Sequence, residues 1–258
     1  MTANTIAASE SLALDQALAR SALCRAIRWG LEPPHEEGIR RLLSPESAAT
    51  LLFAAHVLEG DAGRLRDALR SARSHAGRTI RSIREDYERI HGHTLRGRVC
   101  PYETEYGERD LFQQSQELAD LAGTYRAFGL EHDPAGLRVD HLACEVEFYE
   151  FLAQKEAHAI ETQDQEMLEV TQEAAGDFLR DHLARFGRAF ALSLSKADEQ
   201  GFYGWIGDFL LAFVLGECER QGVPAGPEML ALRPDDEDGV PMACGSGETS
   251  PGLVEIEG

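Results

Sequence analysis

Residues 9–31, SESLALDQALARSALCRAIRWGL, decide the fold class of this chain. Apolar side chains recur here at spacings of three and four, the period of one face of an α-helix, and the arginines fall on the opposite side. The predicted buried face comprises Leu12, Leu14, Leu18, Ala22, Leu23, Ala26, Ile27 and Trp29. The same period dominates the rest of the chain, and no β alternation lasts more than a few residues. We therefore predict an all-α protein.

Proline, glycine and capping residues divide the chain into helices. Pro33-Pro34 ends the first helix, because residues before proline are driven out of the α region. Ser44-Pro45 is typical of an N-cap followed by proline at the first helical position, and this helix is expected to end at Gly60. Further helices are predicted over residues 63–75, 78–90, 109–128, 141–158, 163–194 and 199–221. The short connections predict antiparallel neighbours in one bundle.

We expect one domain, a helical bundle over residues 1–232, followed by a tail over residues 233–258. The chain has 258 residues, of which 43 % are hydrophobic, enough for a sizeable buried core. The tail contains PDDEDGVPMACGSGETSPGLVEIEG, a segment rich in Pro, Gly, Ser and acidic residues. Such a composition predicts a disordered, acidic C-terminal segment.

The formal net charge is -20, which argues against nucleic acid as a partner, since phosphate binding needs a clustered positive surface. The charge is uneven. Residues 1–99 carry 15 Arg and no Lys against 12 acidic residues, whereas residues 100–258 carry 10 basic and 33 acidic residues. This acidity is explained either by solubility or by a specific basic partner.

The sequence contains no run that could span a bilayer, and its start lacks a charged segment followed by an apolar core. The longest apolar run covers residues 209–215. The five cysteines are scattered and form no CxxC pair, which favours free thiols in a reducing compartment. We expect a soluble, cytoplasmic protein with no stable membrane insertion, either monomeric or dimeric.

Motifs for common cofactors and nucleophiles are absent, including GxGxxG, GxxxxGK, HExxH and GxSxG. His91, His93 and Cys100 suggest a metal site, but they give at most three ligands in a glycine-rich loop, and a solvated loop is the alternative. No catalytic residue, metal or cofactor is therefore assigned. A hydrolase or metal enzyme remains the third interpretation of the chain.

Asp140-His141 stands where a linker becomes a helix. Asp is a favoured N-cap, so structural capping is one interpretation of the pair. The functional interpretation takes His141 as an exposed donor beside a carboxylate, able to bind a peptide backbone or a cationic side chain. Together with Glu103 the pair resembles an acid–base set, although nothing completes it as a catalytic site.

The segment Pro101-Tyr102-Glu103-Thr104-Glu105-Tyr106-Gly107 places two aromatic residues around two carboxylates. Tyrosine offers apolar area with a polar tip, and carboxylates bind arginine bidentately. The segment thus suits the lip of a site for a cationic, apolar peptide. The alternative is a surface loop that its aromatic residues pin to the core.

Four glutamates follow on the helix that begins near residue 141. Glu147 and Glu150 share a face, whereas Glu145 lies about a quarter-turn or more away from them. A solvated helix face is the simplest explanation for most of the four, which are Glu145, Glu147, Glu150 and Glu156. We add Glu147 and Phe148 to the candidate site for their acidic and apolar character.

Four segments resemble the TorD/DmsD/NarJ family of redox-enzyme maturation chaperones. They are CPYETEYG (100–107), LFQQSQELADLAGTYRAFGLEHD (111–133), VDHLACEVEFYEFLAQKEAHA (139–159) and DFLRDHLARFGRAFALSLSKADEQGFYGWIGDFLLAFV (177–214). The more specific features are the Asp-His-Leu junction that opens a helix and the helix LADLAGTYRAFGL. The wording YETEYG resembles the branch that serves dimethyl sulfide and ethylbenzene dehydrogenases and selenate and chlorate reductases.

The resemblance implies an all-helical, non-catalytic chaperone. It would bind the twin-arginine signal peptide and the apo form of a molybdopterin oxidoreductase catalytic subunit, assist cofactor insertion and delay export until the client is folded. Asp140 and His141 carry over from the family junction, and Pro101-Tyr102 matches a proline-aromatic position of the peptide groove. Val139 stands where the family often has proline. A general helical protein-interaction module with another client is the alternative.

Overall fold

The computed structural model describes residues 3–59, 63–92, 96–107, 113–133 and 135–234. These residues confirm the all-α class, because their only β structure is two isolated bridges. The helices are α1 Ala3–Leu31, α2 Glu36–Leu42, α3 Pro45–Glu59, α4 Arg64–Arg70, α5 Ile80–His91, α6 Gln113–Ala127, α7 Leu142–Thr162, α8 Gln165–Phe178, α9 Ala184–Ala197 and α10 Phe202–Gln221. Short 3₁₀ turns cover Ser71–His75 and Glu103–Glu105.

The core lies around α7 and α10. Helix α1 packs along α7 and α3, and α10 packs along α9. Helix α10 is buried on most of its circumference, and its largest fully buried side chains are Phe202, Tyr203, Phe209 and Phe213. Burying a side chain of this size stabilises the fold by about 1.5–3 kcal/mol. One of these aromatic residues, Phe213, reaches α7, where its ring lies 6.2 Å from that of Tyr149 between centroids.

The predicted buried face of α1 is only partly correct. Leu23, Ala26 and Ile27 are buried, but Leu12 and Leu18 are exposed. The expectation that the arginines lie opposite the core is also wrong for Arg20, which is buried and donates a hydrogen bond of 2.6 Å to Glu156 of α7. The reason is that α7 presents a carboxylate to this part of α1, so a paired arginine takes the inward position.

The predicted start of α3 is confirmed, since Ser44 Oγ accepts a hydrogen bond of 3.1 Å from the Ser47 amide and Pro45 is the first helical residue. The helix predicted over residues 163–194 is interrupted. A π-helical turn, Leu179–Leu183, joins α8 to α9, and the Ala184 amide donates to the carbonyl of Leu179. Such turns insert an extra residue into a helix and are frequent at functional sites.

Arg233, the first residue of the predicted tail, belongs to the folded unit. Its amide donates to the carbonyl of Glu105 at 2.8 Å, and its Nε donates to the carbonyl of Thr104 at 2.8 Å. The predicted boundary at 233 is thus too early by at least this residue, and residues 235–258 lie outside the described part of the chain. No described helix is long and apolar enough to cross a membrane.

Candidate functional site

The loop 101–107 and the start of α7 meet in a short seam. Tyr102 and His141 form an isolated antiparallel bridge, and the Glu103 amide donates to the carbonyl of Asp140 at 3.0 Å. This pairing brings Pro101-Tyr102 against Asp140-His141, although the two pairs are far apart in the sequence. Six of the predicted site residues therefore lie together: Pro101, Tyr102, Glu103, Tyr106, Asp140 and His141.

Asp140 is a structural carboxylate. It is fully buried, and its Oδ2 accepts hydrogen bonds from the amide (3.0 Å) and the hydroxyl (2.7 Å) of Thr104. Arg138 Nε donates to Asp140 Oδ1 at 2.6 Å. Asp140 does not cap α7, so the capping interpretation is wrong for this residue. It ties the loop to the helix, and Arg138 balances its buried charge.

His141 is the N-cap of α7. Its Nδ1 accepts a hydrogen bond of 3.1 Å from the Ala143 amide, and the side chain is buried. Burial, helped by the positive charges of His91 and Arg138, lowers the pKa of His141 to about 3. The predicted exposed donor is therefore wrong: the ring is neutral, and its Nε2 has no hydrogen-bond partner among the described residues.

The carboxylates of the predicted lip are paired with the chain's own cations. Glu103 is buried, Arg185 Nε donates to its Oε1 at 2.9 Å, and His182 Nδ1 lies 2.9 Å from its Oε2. Glu105 is also buried and forms an ion pair of 2.9 Å with Arg138. Neither carboxylate is free for an incoming arginine, because both are already satisfied within the fold.

The two tyrosines pin the loop, as the alternative interpretation predicts. The guanidinium of Arg138 lies 4.4 Å from the ring centroid of Tyr102. Tyr106 donates from its hydroxyl to the carbonyl of Cys100 at 2.9 Å, and its ring packs against Phe186 at 5.1 Å between centroids. Both tyrosines are half-buried, so each keeps part of its ring at the surface.

Glu145 is a buried carboxyl, although a solvated face was expected for most of the four glutamates on this helix. Burial raises its pKa well above the usual value, and the neighbouring carboxylates of Glu103 and Asp140 raise it further. No described group donates a hydrogen bond to its oxygens, and the protonated carboxyl is itself a hydrogen-bond donor to the neighbouring Glu103. A solvated face is also wrong for Glu150 and Glu156, which are buried. The sequence does contain a signal for this burial. Positions 145 and 156 lie three or four residues from apolar residues of α7 and so share their helix face, which contains Leu142, Val146, Tyr149, Leu152 and Ala153.

A groove of about 610 Å³ lies between the end of α1, the linker after α6 and the first half of α7. We call it the acidic groove. Its apolar and aromatic lining comprises Tyr125, Leu130, Leu137, Phe148 and Phe151. Its acidic residues are Glu32, Glu131, Asp133, Glu147 and Glu150, and Arg28 also lines it. Of the predicted site residues, Glu147 and Phe148 line this groove, and the six residues of the seam do not.

The groove combines an aromatic floor with a negative rim. Phe148 is buried and packs against Tyr125 with 4.8 Å between ring centroids. Glu147, the preceding residue, leaves 59 % of its side chain exposed. Burial, together with the carboxylate of Glu147, raises the pKa of the Cys144 thiol in the groove to about 12. Sequence reasoning missed Arg28 and Glu32, because nothing in the pattern of α1 shows that its end faces α7.

The proposed metal ligands do not form a metal centre in the described part of the chain. His91 is buried, with its Nδ1 2.8 Å from the carbonyl of Val99, and His93 lies outside the described residues. No group of three His, Cys, Asp or Glu side chains in this part of the chain could hold a metal ion. No disulfide joins the four described cysteines, Cys24, Cys100, Cys144 and Cys218.

The fold and the groove define an all-helical protein with an acidic groove of about 610 Å³ over an aromatic floor. Comparison with protein families adds a match to the nitrate reductase delta subunit family over residues 55–191, more than half of the chain. The chain therefore belongs to the nitrate reductase delta subunit family, a family of molybdoenzyme assembly chaperones, which confirms its resemblance to the TorD/NarJ type. No curated protein and no solved structure matched the chain.

Proposed function

We propose that this protein is a cytoplasmic chaperone for the catalytic subunit precursor of a molybdopterin oxidoreductase. It binds the twin-arginine signal peptide and the apo form of this client. By holding the signal peptide, it delays export until the cofactor is inserted and the client is folded. We propose that the client belongs to the dimethyl sulfide dehydrogenase and selenate reductase type. This narrower proposal rests only on the resemblance of the segment YETEYG.

The observation that carries this proposal is the acidic groove. A twin-arginine signal has consecutive arginines followed by an apolar stretch. The exposed carboxylate of Glu147 lies next to the buried ring of Phe148. The groove therefore offers an ionic contact for the arginines and an apolar contact for the residues that follow them. Negative charge steers a cationic segment to the groove, and burial of the apolar stretch then supplies affinity.

The seam has a different proposed part in client binding. Asp140 and His141 are buried, so we propose that they hold the loop 101–107 in position and do not touch the peptide through their charged or polar atoms. Tyr102 and Tyr106 keep part of each ring at the surface and are proposed to contact the client beside the groove. Glu103 supports the loop through Arg185.

Co-purification tests the proposal. The tagged chain is expressed with the precursor of a molybdoenzyme encoded nearby, with its intact signal or with both signal arginines replaced by glutamine. We expect the intact apo precursor to co-purify and the glutamine precursor to be depleted. Equal recovery of both precursors would favour a general protein-interaction module. Recovery of neither would show that this precursor is not a client of the protein.

A further inference from the structure

Arg28 of α1 lies among three carboxylates at the edge of the acidic groove. Its guanidinium donates to Glu32 Oε1 at 2.9 Å and to Glu147 Oε1 at 3.1 Å. Its Nε lies 3.7 Å from Glu150 Oε2 and has no hydrogen-bond partner in the described structure. The chain's own arginine thus occupies an environment suited to a guanidinium.

Glu150 offers an unfilled acceptor to the groove. Its Oε1 accepts hydrogen bonds from Arg25 at 2.8 Å and from Gln154 at 2.9 Å. Its Oε2 is buried and has no hydrogen-bond partner among the residues described, although the side chain lines the groove. A buried carboxylate oxygen without a donor is unfavourable, so a donor that enters through the groove would gain by reaching it.

The local charge also favours another cation. Glu32, Glu147 and Glu150 face the two arginines Arg25 and Arg28, which leaves one negative charge in excess. The contact between Arg28 and Glu147 is exposed to solvent, so it is weak and readily exchanged. The floor beside it is the aromatic lining of the groove, where the apolar residues next to an arginine can pack.

We propose that Glu32, Glu147 and Glu150 form a guanidinium subsite that Arg28 occupies in the free protein. An arginine side chain of a client peptide enters from the groove, takes over Glu147 and the open Oε2 of Glu150, and displaces Arg28 toward Glu32. Arg28 is thereby an internal competitor that sets how tightly the groove holds arginine. The identity of the peptide rests on the proposed function, whereas the subsite requires only an arginine side chain.

The variant Arg28→Gln tests the exchange. The probe is Nα-acetyl-arginine amide, titrated by calorimetry or by chemical-shift changes. Because the substitution removes the competitor, we expect affinity to rise by on the order of tenfold. The matched control is Arg81→Gln, which removes the same charge from an exposed ion pair on α5 and should leave affinity unchanged. Equal or weaker binding by Arg28→Gln, or the same gain in the control, would overturn the proposal.

Two glutamine variants and one further probe complete the test. Glu147→Gln removes an exposed carboxylate without disturbing the core, and we expect it to lower arginine affinity several-fold. Glu150→Gln should lower it more, in a protein shown to be folded by circular dichroism. Nα-acetyl-lysine amide should bind more weakly than the arginine probe, because an ammonium cannot bridge two oxygens in the same way. Undiminished arginine binding by both folded variants contradicts the subsite.

Failure of the subsite and failure of the proposed function are distinguishable. A signal peptide that binds the wild type but is insensitive to Arg28→Gln and Glu147→Gln would leave the chaperone function in place and remove the subsite. Suppose instead that Nα-acetyl-arginine amide binds more tightly to Arg28→Gln and more weakly to Glu147→Gln and Glu150→Gln, while no twin-arginine signal peptide binds. This result would support the subsite and remove the chaperone function.

Discussion

Tyr102 and His141 face each other across the seam with their ring centroids 5.2 Å apart and their planes at 83°. The same two residues form the antiparallel bridge that ties the loop to the first turn of α7. The contact shows that the Asp-His junction is a buried structural element. It fixes the loop 101–107, and His141 itself is closed to solvent.

Asp140→Ala should strongly destabilise the protein. The change removes both hydrogen bonds to Thr104 and leaves Arg138 without one of its partners, and breaking a buried charged pair costs about 3–5 kcal/mol. Urea unfolding followed by circular dichroism measures the loss. Asp67→Ala, at an exposed carboxylate, is the control. A loss equal to that of the control would refute the structural part given to Asp140.

His141→Asn should flatten the pH dependence of stability on the acidic side of neutrality. The folded-state pKa of His141 is about 3, far below the ordinary value of 6.5, so the unfolded state takes up the proton first. Stability from this residue is therefore present above pH 6.5 and declines below it by about 1.4 kcal/mol per pH unit. Asparagine retains an N-cap acceptor.

The difference in unfolding free energy between wild type and His141→Asn is measured from pH 7 to pH 5, so that contributions shared by both proteins cancel. His158→Asn, at an exposed position, is the control and should leave the slope unchanged. A pH-independent difference for His141→Asn would show that the imidazole is not kept neutral by the fold.

Glu145→Gln should become increasingly stabilising as pH rises. Burial first, and then the carboxylates of Glu103 and Asp140, raise the pKa of Glu145 well above its ordinary value. The folded state holds a proton that the unfolded state releases above that ordinary value, so the wild type loses stability with increasing pH up to the folded-state pKa. Glutamine keeps the shape and has no proton to lose.

Thermal or urea unfolding at pH 5 and pH 8 checks the Glu145 prediction. Glu147→Gln, two residues away and exposed, should change stability by no more than about 0.5 kcal/mol at either pH. A difference between wild type and Glu145→Gln that does not change from pH 5 to pH 8 would mean that the carboxyl is ionised in the folded protein.

Cys144 should react slowly with alkylating reagents although it lines the groove. Burial and the carboxylate of Glu147 raise its pKa to about 12, and only the thiolate is nucleophilic. At pH 8 its rate should fall on the order of a hundredfold or more below that of an exposed thiol. Peptide mapping by mass spectrometry identifies the modified residue. A rate similar to that of glutathione would contradict this electrostatic environment.

The sequence was informative wherever structure depends on neighbours along the chain. The helical period indicated the fold class, and Ser44-Pro45 marked the start of α3 because a cap needs only local residues. Burial was predicted wrongly where it depends on which helix packs against the residue. Leu12 and Leu18 have the right period but are left exposed by the described helices, and Arg20 is buried because Glu156 lies opposite.

The candidate site follows the same division. The position of the Asp-His junction was visible in the sequence, since a linker ends there. Its burial was not, because the loop that covers it lies about forty residues earlier. The pairing of Glu103 with Arg185 and of Arg28 with Glu147 joins residues far apart in sequence. Such pairs follow from helix packing, which single-residue patterns do not encode.

Calorimetric titration with a synthetic twin-arginine signal peptide tests the central claim most directly. The peptide comes from a molybdoenzyme encoded nearby, is measured at two salt concentrations, and is compared with a version whose two arginines are replaced by glutamine. We predict saturable binding that weakens at higher salt and weakens further with glutamine, because screening and loss of the guanidinium groups both remove attraction to the acidic groove. Equal binding of both peptides at both salt concentrations, or no binding of either, would contradict the account.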